Sequence, residues 1–541
     1  MLITRTGSSF SRSASVASAL VRVRRHLATS EPSGFGFNDP SIAYRNKSAS
    51  DLFRALAVFH LSGVRPLVKH SLPLLKTSTA VLGPQITHWA LRQTFFGHFC
   101  AGETSAEVYP TLDRLRASGV GAILDYAAEA DVAESDRGSA TRPSPAVLDS
   151  NVAIFLSCIQ TAAARPNGFA AVKVSALAQP ELLQRVSSVL VAARKLYQEL
   201  IGTCNQYVGE SPCLTLPTFT NGMRSLGSNA SDEELAAAFT SFGVDVNGFI
   251  DEADWARMLA FYPTCLPQLR TLTNSKAVAS WPAELSAEEV ADIDAALKRV
   301  EELAHVAAGS QVRMMVDAET TYLQPAIDYI VLQMQRRFNK NGFPTVYNTY
   351  QAYLRDSGDR ARVDLKRAKH EGFVLAAKVV RGAYMVQERQ LAALGGYEDP
   401  IQPDIEATHK NYDAVVNMLL ENKQNTDFMV ASHNEASVIR AVQRMAELGI
   451  DRSQGGVFFG QLLGMCDHIT YTLASGGYSS YKYVPYGPID EVLPYLIRRA
   501  EENSTMLSGA AKERRLIREE LFRRLTQQPP NPAFTTVVRP N

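Results

Sequence analysis

The stretch FVLAAKVVRGAY, residues 373–384, is an apolar, β-rich run that carries Lys378, Arg381 and Gly382 toward its end. Seven further runs of this kind occur along the chain: AILDYAAE, FAAVKVSAL, VRMMVDAE, TVYNTYQAY, DFMVASHN, GVFFGQLLG and YSSYKYVPYG. Helix-like segments lie between several of them, at 286–306, 323–338, 407–422 and 435–447. Strand–helix alternation is typical of a parallel sheet, and eight repeats predict an α/β fold, a closed (β/α)8 barrel.

Polar residues recur at the predicted C-terminal ends of these strands, which is where such barrels carry their chemistry. They are Asp125, Glu129, Lys173, Asp317, Glu319, Gln351, Lys378, Arg381, His433, Asn434, Gln461 and Tyr483. A surface loop explains any one of them. Their concentration at one rim predicts a functional site.

The stretch VLPYLIRRAEEN, residues 492–503, places an aromatic residue, two arginines and a carboxylate on one face of a helix, at i, i+3, i+4 and i+7. They are Tyr495, Arg498, Arg499 and Glu502. That face is either a solvated, salt-bridged surface or a surface turned toward an anion. In the second interpretation Lys173 and the arginines surround a carboxylate, and Glu129 balances Lys173.

Composition and motifs exclude several classes of function. Lys+Arg and Asp+Glu are both 55 in 541 residues, so electrostatic nucleic-acid binding is not indicated. The 6 cysteines form no CxxC pair, which argues against a disulfide scaffold and a zinc site. Walker, HExxH and GxSxG motifs are missing, and GVGAIL at 119–124 lacks the third glycine of a dinucleotide fingerprint. The sequence also has no run of about eighteen apolar residues, so no transmembrane helix is expected.

The first thirty residues are basic, rich in serine and free of acidic residues, which is typical of a mitochondrial transit peptide; a disordered basic tail is the alternative. We therefore expect a transit peptide and disordered N-terminus over 1–45, and N-terminal helices with the first strands over 46–205. The apolar but interrupted segment 52–96 predicts amphipathic helices that lie on a membrane or pack on the rest of the protein.

The segment 206–272 resembles an EF-hand of the calmodulin type. With Gly248 as the turn glycine, Asp245 and Asn247 occupy ligand positions three and five, and Asp254 occupies position twelve. Position one is Gly243, where an aspartate is needed, so these three residues are weak calcium candidates and we expect a structural, empty loop. The barrel resumes over 273–520, and the Pro-rich tail 521–541 is expected to be disordered.

A set of motifs in order resembles the mitochondrial proline dehydrogenase (proline oxidase) family over about residues 50–520, outside the insert. The motifs are FFGHFCAGE, KVSAL, VDAE, NTYQAYL, VVRGAYMVQER, YEDPI, ASHN, GQLLGMCD, YVPYGP and YLIRRAEEN. The resemblance implies a distorted (β/α)8 barrel that holds FAD. It also implies that a hydride is removed from C5 of L-proline to give Δ1-pyrroline-5-carboxylate, the first step of proline catabolism. The expected electron acceptor is membrane ubiquinone, and the expected location is the matrix side of the mitochondrial inner membrane, as a peripheral protein.

The resemblance also assigns residues. Substrate residues are Lys173, Glu129, Leu462, Tyr483, Tyr495, Arg498, Arg499 and Glu502. Residues at the flavin are Asp317, Ala318, Gln351, Lys378, Arg381, Gly382, Ala383, Ser432 and His433. Lys173, Asp317, Lys378, Arg498 and Arg499 are the catalytic set. One departure is Lys378, where bacterial bifunctional relatives carry an arginine; a lysine donates as a point charge rather than as a fork.

Two rival functions remain open. Hydroxyproline dehydrogenase is a sister activity on the same scaffold. In the family's proline-specific pattern, which the resemblance implies here, Tyr483 fills the space that a ring hydroxyl needs, so proline is favoured. The other rival is a non-catalytic, calcium-responsive interaction protein that has kept an inactive barrel.

Overall fold

Eight parallel strands close into a barrel in the computed structural model, which describes residues 36–127, 143–202, 207–208, 211–242, 248–262, 264–340, 342–452, 454–505 and 507–526. The strands are β1 (Gly121–Tyr126), β2 (Phe169–Val172), β3 (Arg313–Val316), β4 (Val346–Gln351), β5 (Leu375–Val380), β6 (Thr426–Ala431), β7 (Val457–Leu462) and β8 (Ser480–Tyr486). Each strand pairs with the next one in the chain, and β8 pairs with β1. Each of the eight predicted runs includes one of these strands, apart from the first residue of β1 and of β6, so the prediction of a (β/α)8 barrel is confirmed.

Helices surround the barrel, and in the chain they stand before, between and after its strands. They are Ser105–Ala117, Pro145–Ala163, Pro180–Ile201, Ala287–Gly309, Gln324–Phe338, Ser357–Glu371, Met385–Gly395, Ile405–Glu421, Glu435–Glu447, Asp467–Ser475, Ile489–Thr505 and Leu507–Leu525. The four segments predicted as helices coincide with four of these within a few residues. The last helix extends past residue 520, where we placed the start of a disordered tail.

The barrel interior is filled by side chains from alternate strand positions, because successive residues of a strand point to opposite faces. The buried interior residues include Ile123, Phe169, Ala171, Met315, Tyr347, Ala376, Met429, Phe458 and Tyr481. At the N-terminal end the Arg313 guanidinium lies 5.4 Å from the ring centroid of Phe169 and 5.0 Å from that of Phe458. This end is therefore packed with side chains.

The seam between β1 and β8 depends on a glycine. Gly121 lies opposite Tyr481, and a Cβ added at Gly121 would come within 2.2 Å of the Tyr481 ring. A side chain at this position would push the two strands apart. The sequence thus needs glycine here for the barrel to close.

The insert and the residues that directly follow it lie between β2 and β3 and form short helices. They are Leu216–Ser225, Asp232–Ser241, Glu252–Phe261, Cys265–Leu272 and Lys276–Ala279. Residues Leu214–Thr215 and Phe249–Ile250 pair as a small antiparallel sheet, and Gly248 has a left-handed φ of 82°. Trp255 is fully buried and its indole N–H donates to the Ala193 carbonyl at 3.0 Å, which ties the insert to helix Pro180–Ile201.

The N-terminal part of the described chain is helical. Its helices are Pro40–Ala43, Ala49–Ser62, Arg65–Lys69, Ser71–Leu82, Pro84–Gln93 and Phe95–Phe99. Phe37 and Tyr44 are almost completely buried. Residues 36–45, which we included in the predicted transit and disordered segment, therefore begin the packed structure.

Within the described residues, helix Pro145–Ala163 is long and apolar enough to cross a bilayer by length and composition. The sequence criterion of an uninterrupted apolar run did not detect it. Its residues Leu148, Phe155 and Ile159 are buried in the main hydrophobic core, against the outer side of β1 and β2. We therefore interpret it as a barrel helix.

A buried ion-pair network joins the N-terminal segment to the barrel. The Asp467 carboxylate lies 2.8 Å from Nζ of Lys482 and 3.0 Å from Nζ of Lys47, and the Lys482 side chain is 0% exposed. Burial alone would raise the pKa of Asp467, but the charges of Lys47 and Lys482 outweigh burial and hold the pKa well below its usual range. The carboxylate is therefore the counter-ion of a lysine that has no contact with water.

Asp467→Ala should lower the free energy of unfolding by about 3–5 kcal/mol, because it leaves Lys482 buried and unpaired. The measurement is thermal unfolding followed by circular dichroism. The destabilisation should shrink below about pH 4, since the lowered pKa of Asp467 contributes stability only where the unfolded carboxyl is ionised. The control is Asp232→Ala, which removes an exposed pair with Arg224 and should cost less than about 1 kcal/mol. Equal melting curves for the two variants would contradict this role of Asp467.

Candidate active site

Three strand ends meet at the C-terminal mouth of the barrel through one carboxylate. Asp317, directly after β3, is ion-paired with Lys378 of β5. Its other carboxylate oxygen accepts a hydrogen bond from the Tyr483 hydroxyl of β8 at 2.8 Å. Nζ of Lys378 also lies 5.6 Å from the Tyr483 ring centroid. Burial, followed by the charges of Asp125 and Asp317, raises the pKa of Tyr483, so its hydroxyl stays protonated and keeps donating.

The turn after β5 is held by an arginine and opened by a glycine. The Arg381 guanidinium donates to the hydroxyls of Ser432 at 2.8 Å and Ser437 at 2.9 Å, and stacks 4.3 Å from the Tyr412 ring centroid. Gly382 has a φ of 134°, and a Cβ added there would lie 2.3 Å from the Tyr353 ring. The backbone of Gly382 is therefore exposed at the rim in a conformation that a larger residue would not adopt.

His433, two residues after the end of β6, is neutral and is oriented by the neighbouring strand. Its Nε2 accepts a hydrogen bond from the Leu462 backbone N–H at 3.0 Å. Burial, then the charges of Lys482 and Arg499, lower the pKa of His433 to about 3. Since Nε2 accepts, the ring proton lies on Nδ1, and protonating Nε2 would break the contact with Leu462.

Lys173 and Glu319 lie together on the opposite side of the mouth. Lys173 follows β2 and comes directly before the short turn Val174–Ala176. The Glu319 carboxylate accepts the Ser175 backbone N–H at 3.1 Å, and the Glu319 carbonyl accepts from Nε2 of Gln351 at 2.8 Å. Burial raises the pKa of Glu319, against the opposing effects of Ser175 and Lys173. Glu319 thus fixes the turn that positions Lys173, a role that its rim position alone did not reveal.

Glu388 is a positioning residue that the sequence analysis missed. It is 0% exposed and accepts hydrogen bonds from the Thr321 N–H at 2.7 Å and the Thr321 hydroxyl at 2.5 Å. These bonds tie helix Met385–Gly395 to the loop after β3, which carries Asp317. The only signal in the sequence was its place in VVRGAYMVQER, which does not identify a partner.

The helix Ile489–Thr505 turns its cationic face toward this mouth. The Arg499 guanidinium lies 5.0 Å from the ring centroid of buried Tyr495 and 2.8 Å from the Glu502 carboxylate. The Arg499 side chain is only 14% exposed. The charge of Arg499 helps to lower the pKa of His433. Burial raises the pKa of Tyr495, and the charge of Asp125 raises it further, although Arg499 acts in the opposite direction. A solvated, salt-bridged surface therefore does not describe this face of the helix.

The predicted site residues fall into three groups. One group lies within three residues of the C-terminal end of a barrel strand or on helix Ile489–Thr505: Lys173, Asp317, Ala318, Gln351, Lys378, Arg381, Gly382, Ala383, Ser432, His433, Leu462, Tyr483, Tyr495, Arg498, Arg499 and Glu502. Glu129, Asp245 and Asn247 lie outside the described residues. Asp254 lies far from this group in sequence and packing, on the insert.

The described calcium candidate, Asp254, is engaged by two arginines. Its carboxylate lies 3.5 Å from Arg336 and 3.3 Å from Arg257. Arg336 belongs to a barrel helix, so this carboxylate attaches the insert to the barrel. In the described part of the chain, no group of three or more His, Cys, Asp or Glu side chains is arranged to hold a metal ion.

The fold and the mouth together define a class: a (β/α)8-barrel enzyme whose mouth joins three strand ends through Asp317, Lys378 and Tyr483. A family model described as "Proline dehydrogenase" matches residues 108–512. "Proline dehydrogenase 1, mitochondrial" of Homo sapiens is 37% identical over 540 residues, covering 90% of this chain and 89% of its own. The chain therefore belongs to the proline dehydrogenase family, as its motifs indicated.

Two further similarities bear on substrate and fold. "Hydroxyproline dehydrogenase" of Xenopus laevis is 36% identical over 499 residues and covers 91% of each chain. The structure of proline utilization A from Bdellovibrio bacteriovorus, inactivated by N-propargylglycine, matches with a TM-score of 0.53 at 16% identity. That match covers 92% of this chain and 42% of the larger protein, so it shows a shared fold.

Calcium should not stabilise the protein, because Asp254 is committed to Arg336 and Arg257 and the first loop position is Gly243. Isothermal titration with calcium should give no binding isotherm with a Kd below about 1 mM. The melting temperature should be the same with calcium and with a chelator. A calcium-dependent rise in melting temperature would show that the insert is a working calcium site.

Proposed function

We propose that the protein oxidises L-proline to Δ1-pyrroline-5-carboxylate, with FAD as its cofactor. Family membership supports this reaction. The single structural observation that carries it is the position of helix Ile489–Thr505: the charge of its Arg499 lowers the pKa of His433, and its Tyr495 acts on Tyr483, which is bonded to Asp317. A pair of adjacent arginines on this helix suits a substrate that carries a carboxylate.

The residues on one side of the mouth fit a flavin dinucleotide. We assign its binding to Asp317, Ala318, Gln351, Lys378, Arg381, Gly382, Ala383, Ser432 and His433. The cations Lys378 and Arg381 suit anionic groups, and the side-chain-free backbone at Gly382 allows close approach. When bound, FAD supplies the acceptor for the hydride that leaves the substrate. Lys378, as a point charge held by Asp317, is the residue that we expect to tune its redox properties.

The substrate residues hold the amino acid by its carboxylate. Arg498 and Arg499 supply the clamp, Lys173 adds a third cation, and Glu502 orients Arg499 through their 2.8 Å ion pair. Tyr483, Tyr495 and Leu462 then enclose the ring of the substrate. Burial keeps the hydroxyls of both tyrosines protonated. Fixing the ring in one orientation lowers the entropic part of the barrier.

The same cations favour the reactive form of the substrate. A hydride leaves the carbon next to nitrogen only when the amine has a free lone pair, so the ammonium form is unreactive. Lys173 and Arg499 raise the energy of a nearby ammonium and therefore favour the neutral amine. The same effect acts on His433, because burial and the charges of Lys482 and Arg499 lower its pKa and keep it neutral.

We assign the electrons to a membrane quinone and the protein to the mitochondrion, on the matrix side of the inner membrane. Support comes from the basic, acid-free first thirty residues, from relatives named as mitochondrial, and from the missing dinucleotide fingerprint. A peripheral association is consistent with the amphipathic segment 52–96.

Hydroxyproline is the alternative substrate, because several relatives of 34–36% identity are named hydroxyproline dehydrogenase. The Tyr483 hydroxyl donates to the Asp317 carboxylate at 2.8 Å, which fixes the Tyr483 ring. We expect that ring to occupy the space that the hydroxyl of hydroxyproline would need. This contact favours proline over its hydroxylated analogue.

The purified protein should show a flavin absorption spectrum that bleaches when L-proline is added without oxygen. With ubiquinone analogues as acceptors, kcat/KM should be higher for L-proline than for trans-4-hydroxyproline, because Tyr483 restricts the ring. A purified protein without flavin absorption would contradict the enzymatic proposal and favour the non-catalytic alternative. Greater efficiency on the hydroxylated ring would transfer the assignment to the sister activity.

Arg498→Ala and Arg499→Ala should each raise KM for proline by roughly 10–100-fold with FAD retained, because one charged hydrogen-bonding partner of the carboxylate is lost. Initial rates and the flavin-to-protein absorbance ratio measure the two effects separately. The matched control is Arg515→Ala on the following helix, whose side chain is 61% exposed. Loss of flavin with an unchanged KM would contradict the assignment of this pair to the substrate.

A further inference from the structure

One segment of the chain has an unusual distribution of charge. Between Asp51 and Glu103 the sequence contains no acidic residue, although Lys+Arg and Asp+Glu are equal over the whole chain. The basic residues in this interval are Arg54, Arg65, Lys69, Lys76 and Arg92, together with four histidines. A local excess of positive charge in a neutral protein indicates a surface that meets negative charge.

Part of this segment, residues 71–93, forms a helical hairpin that projects from the body of the protein. Helices Ser71–Leu82 and Pro84–Gln93 are joined at Gly83, and the Ser78 and Thr87 hydroxyls lie 2.9 Å apart between them. None of the described residues of the first helix is buried, and the second helix buries only Thr87. The hairpin therefore contributes almost nothing to the core of this chain.

Large apolar side chains are exposed on this hairpin and its turn. Val81 is 75% exposed and Trp89 is 62% exposed, and their neighbours Leu74, Leu82 and Ile86 are about half exposed. A cluster of this kind, including a tryptophan, is rare on the surface of a soluble protein unless it meets a partner or a membrane. Around it, Arg65, Lys69 and Lys76 form no ion pair with any residue that the structure describes.

We propose that the hairpin of residues 71–93 is a peripheral membrane anchor. Its apolar side chains enter the headgroup boundary of an anionic bilayer, while Arg65, Lys69 and Lys76 contact the lipid phosphates. Apolar residues with tryptophan on one surface and lysine or arginine beside it are typical of interfacial helices. The complete absence of acidic residues favours an anionic lipid surface over a protein partner, whose interface would ordinarily include both signs of charge.

The anchor is connected to the helix that bears the arginine pair. His88 of the hairpin lies 2.9 Å from the Asp490 carboxylate, at the start of helix Ile489–Thr505. Beyond the hairpin, Phe96 and Phe99 pack in one hydrophobic cluster with Tyr495. A docked hairpin therefore holds the helix that covers the mouth close to the bilayer. The anchor deepens the peripheral membrane association of the proposed function and rests on it, as does the purpose of that placement, access to a membrane quinone.

Tryptophan fluorescence gives a direct test, because the chain has 3 tryptophans and Trp255 and Trp281 are buried. The full-length protein is mixed with vesicles of phosphatidylcholine containing about one third phosphatidylglycerol, with brominated acyl chains as the quencher. Emission of the parent should be quenched, and Trp89→Phe, which keeps an apolar ring, should pellet with vesicles but lose the quenching. Unquenched emission in the parent would show that the hairpin stays out of the bilayer.

Cosedimentation with the same vesicles tests each half of the surface. The double variant Val81→Ser, Ile86→Ser should bind at least about tenfold less, and Lys69→Gln and Lys76→Gln about fivefold less each, with binding reduced by salt. The matched control is Leu394→Ser, which removes an exposed leucine on helix Met385–Gly395 and should bind as the parent does. The basic first thirty residues are present in every variant, so their contribution is common to all.

The possible outcomes separate docking from catalysis. Proline turnover with a soluble dye as acceptor should be equal in the parent and in every hairpin variant, since none of these residues lines the mouth. Vesicle binding that is the same in all variants overturns the anchor. A parent dimer that the serine variants convert to a monomer would show that the hairpin binds a second copy, which also overturns it. Vesicle binding without proline turnover would leave the anchor in place and refute the proposed reaction.

Discussion

Closure of the barrel by the pairing of β8 with β1 is the constraint on which the rest of the structure depends. Because all the strands are parallel, closure brings every C-terminal strand end to one rim. Asp317 and Tyr483, which lie 166 residues apart in sequence, meet at 2.8 Å for this reason. The packed aromatic rings around Arg313 close the opposite end of the barrel. In the described chain, the mouth is therefore the end at which polar strand ends occur together with exposed backbone.

A rim that gathers so many cations is stable only because each of them has a partner. Lys378 is held by Asp317, Arg499 by Glu502, and Arg381 by the hydroxyls of two serines. Burial and the charges of Lys482 and Arg499 keep His433 neutral, whereas burial and the charges of Asp125 and Asp317 keep Tyr483 protonated. The result is a preorganised arrangement of paired cations and neutral groups at the mouth.

The two additions outside the barrel are attached in opposite ways. The insert is docked by ion pairs to barrel helices, including Asp251 with Arg367 at 3.1 Å and Asp254 with Arg336 at 3.5 Å. Both carboxylates lie in the last part of the EF-hand-like motif, so this part of the motif attaches the insert to the barrel. The hairpin 71–93 has its main contacts at one end and leaves its apolar surface exposed. The first addition completes the body of the protein, and the second presents a surface to something outside it.

The sequence by itself determined the elements: eight β-rich runs, the helices between them, and the common face of Tyr495, Arg498, Arg499 and Glu502. Local periodicity and composition encode these features, because they depend only on neighbours along the chain. Only the tertiary structure decided the direction in which that helix face points, the pairing of Glu388 with Thr321, and the exposure of Val81 and Trp89. Each of these depends on which distant segment packs nearby, and a single sequence carries no local signal for such a contact.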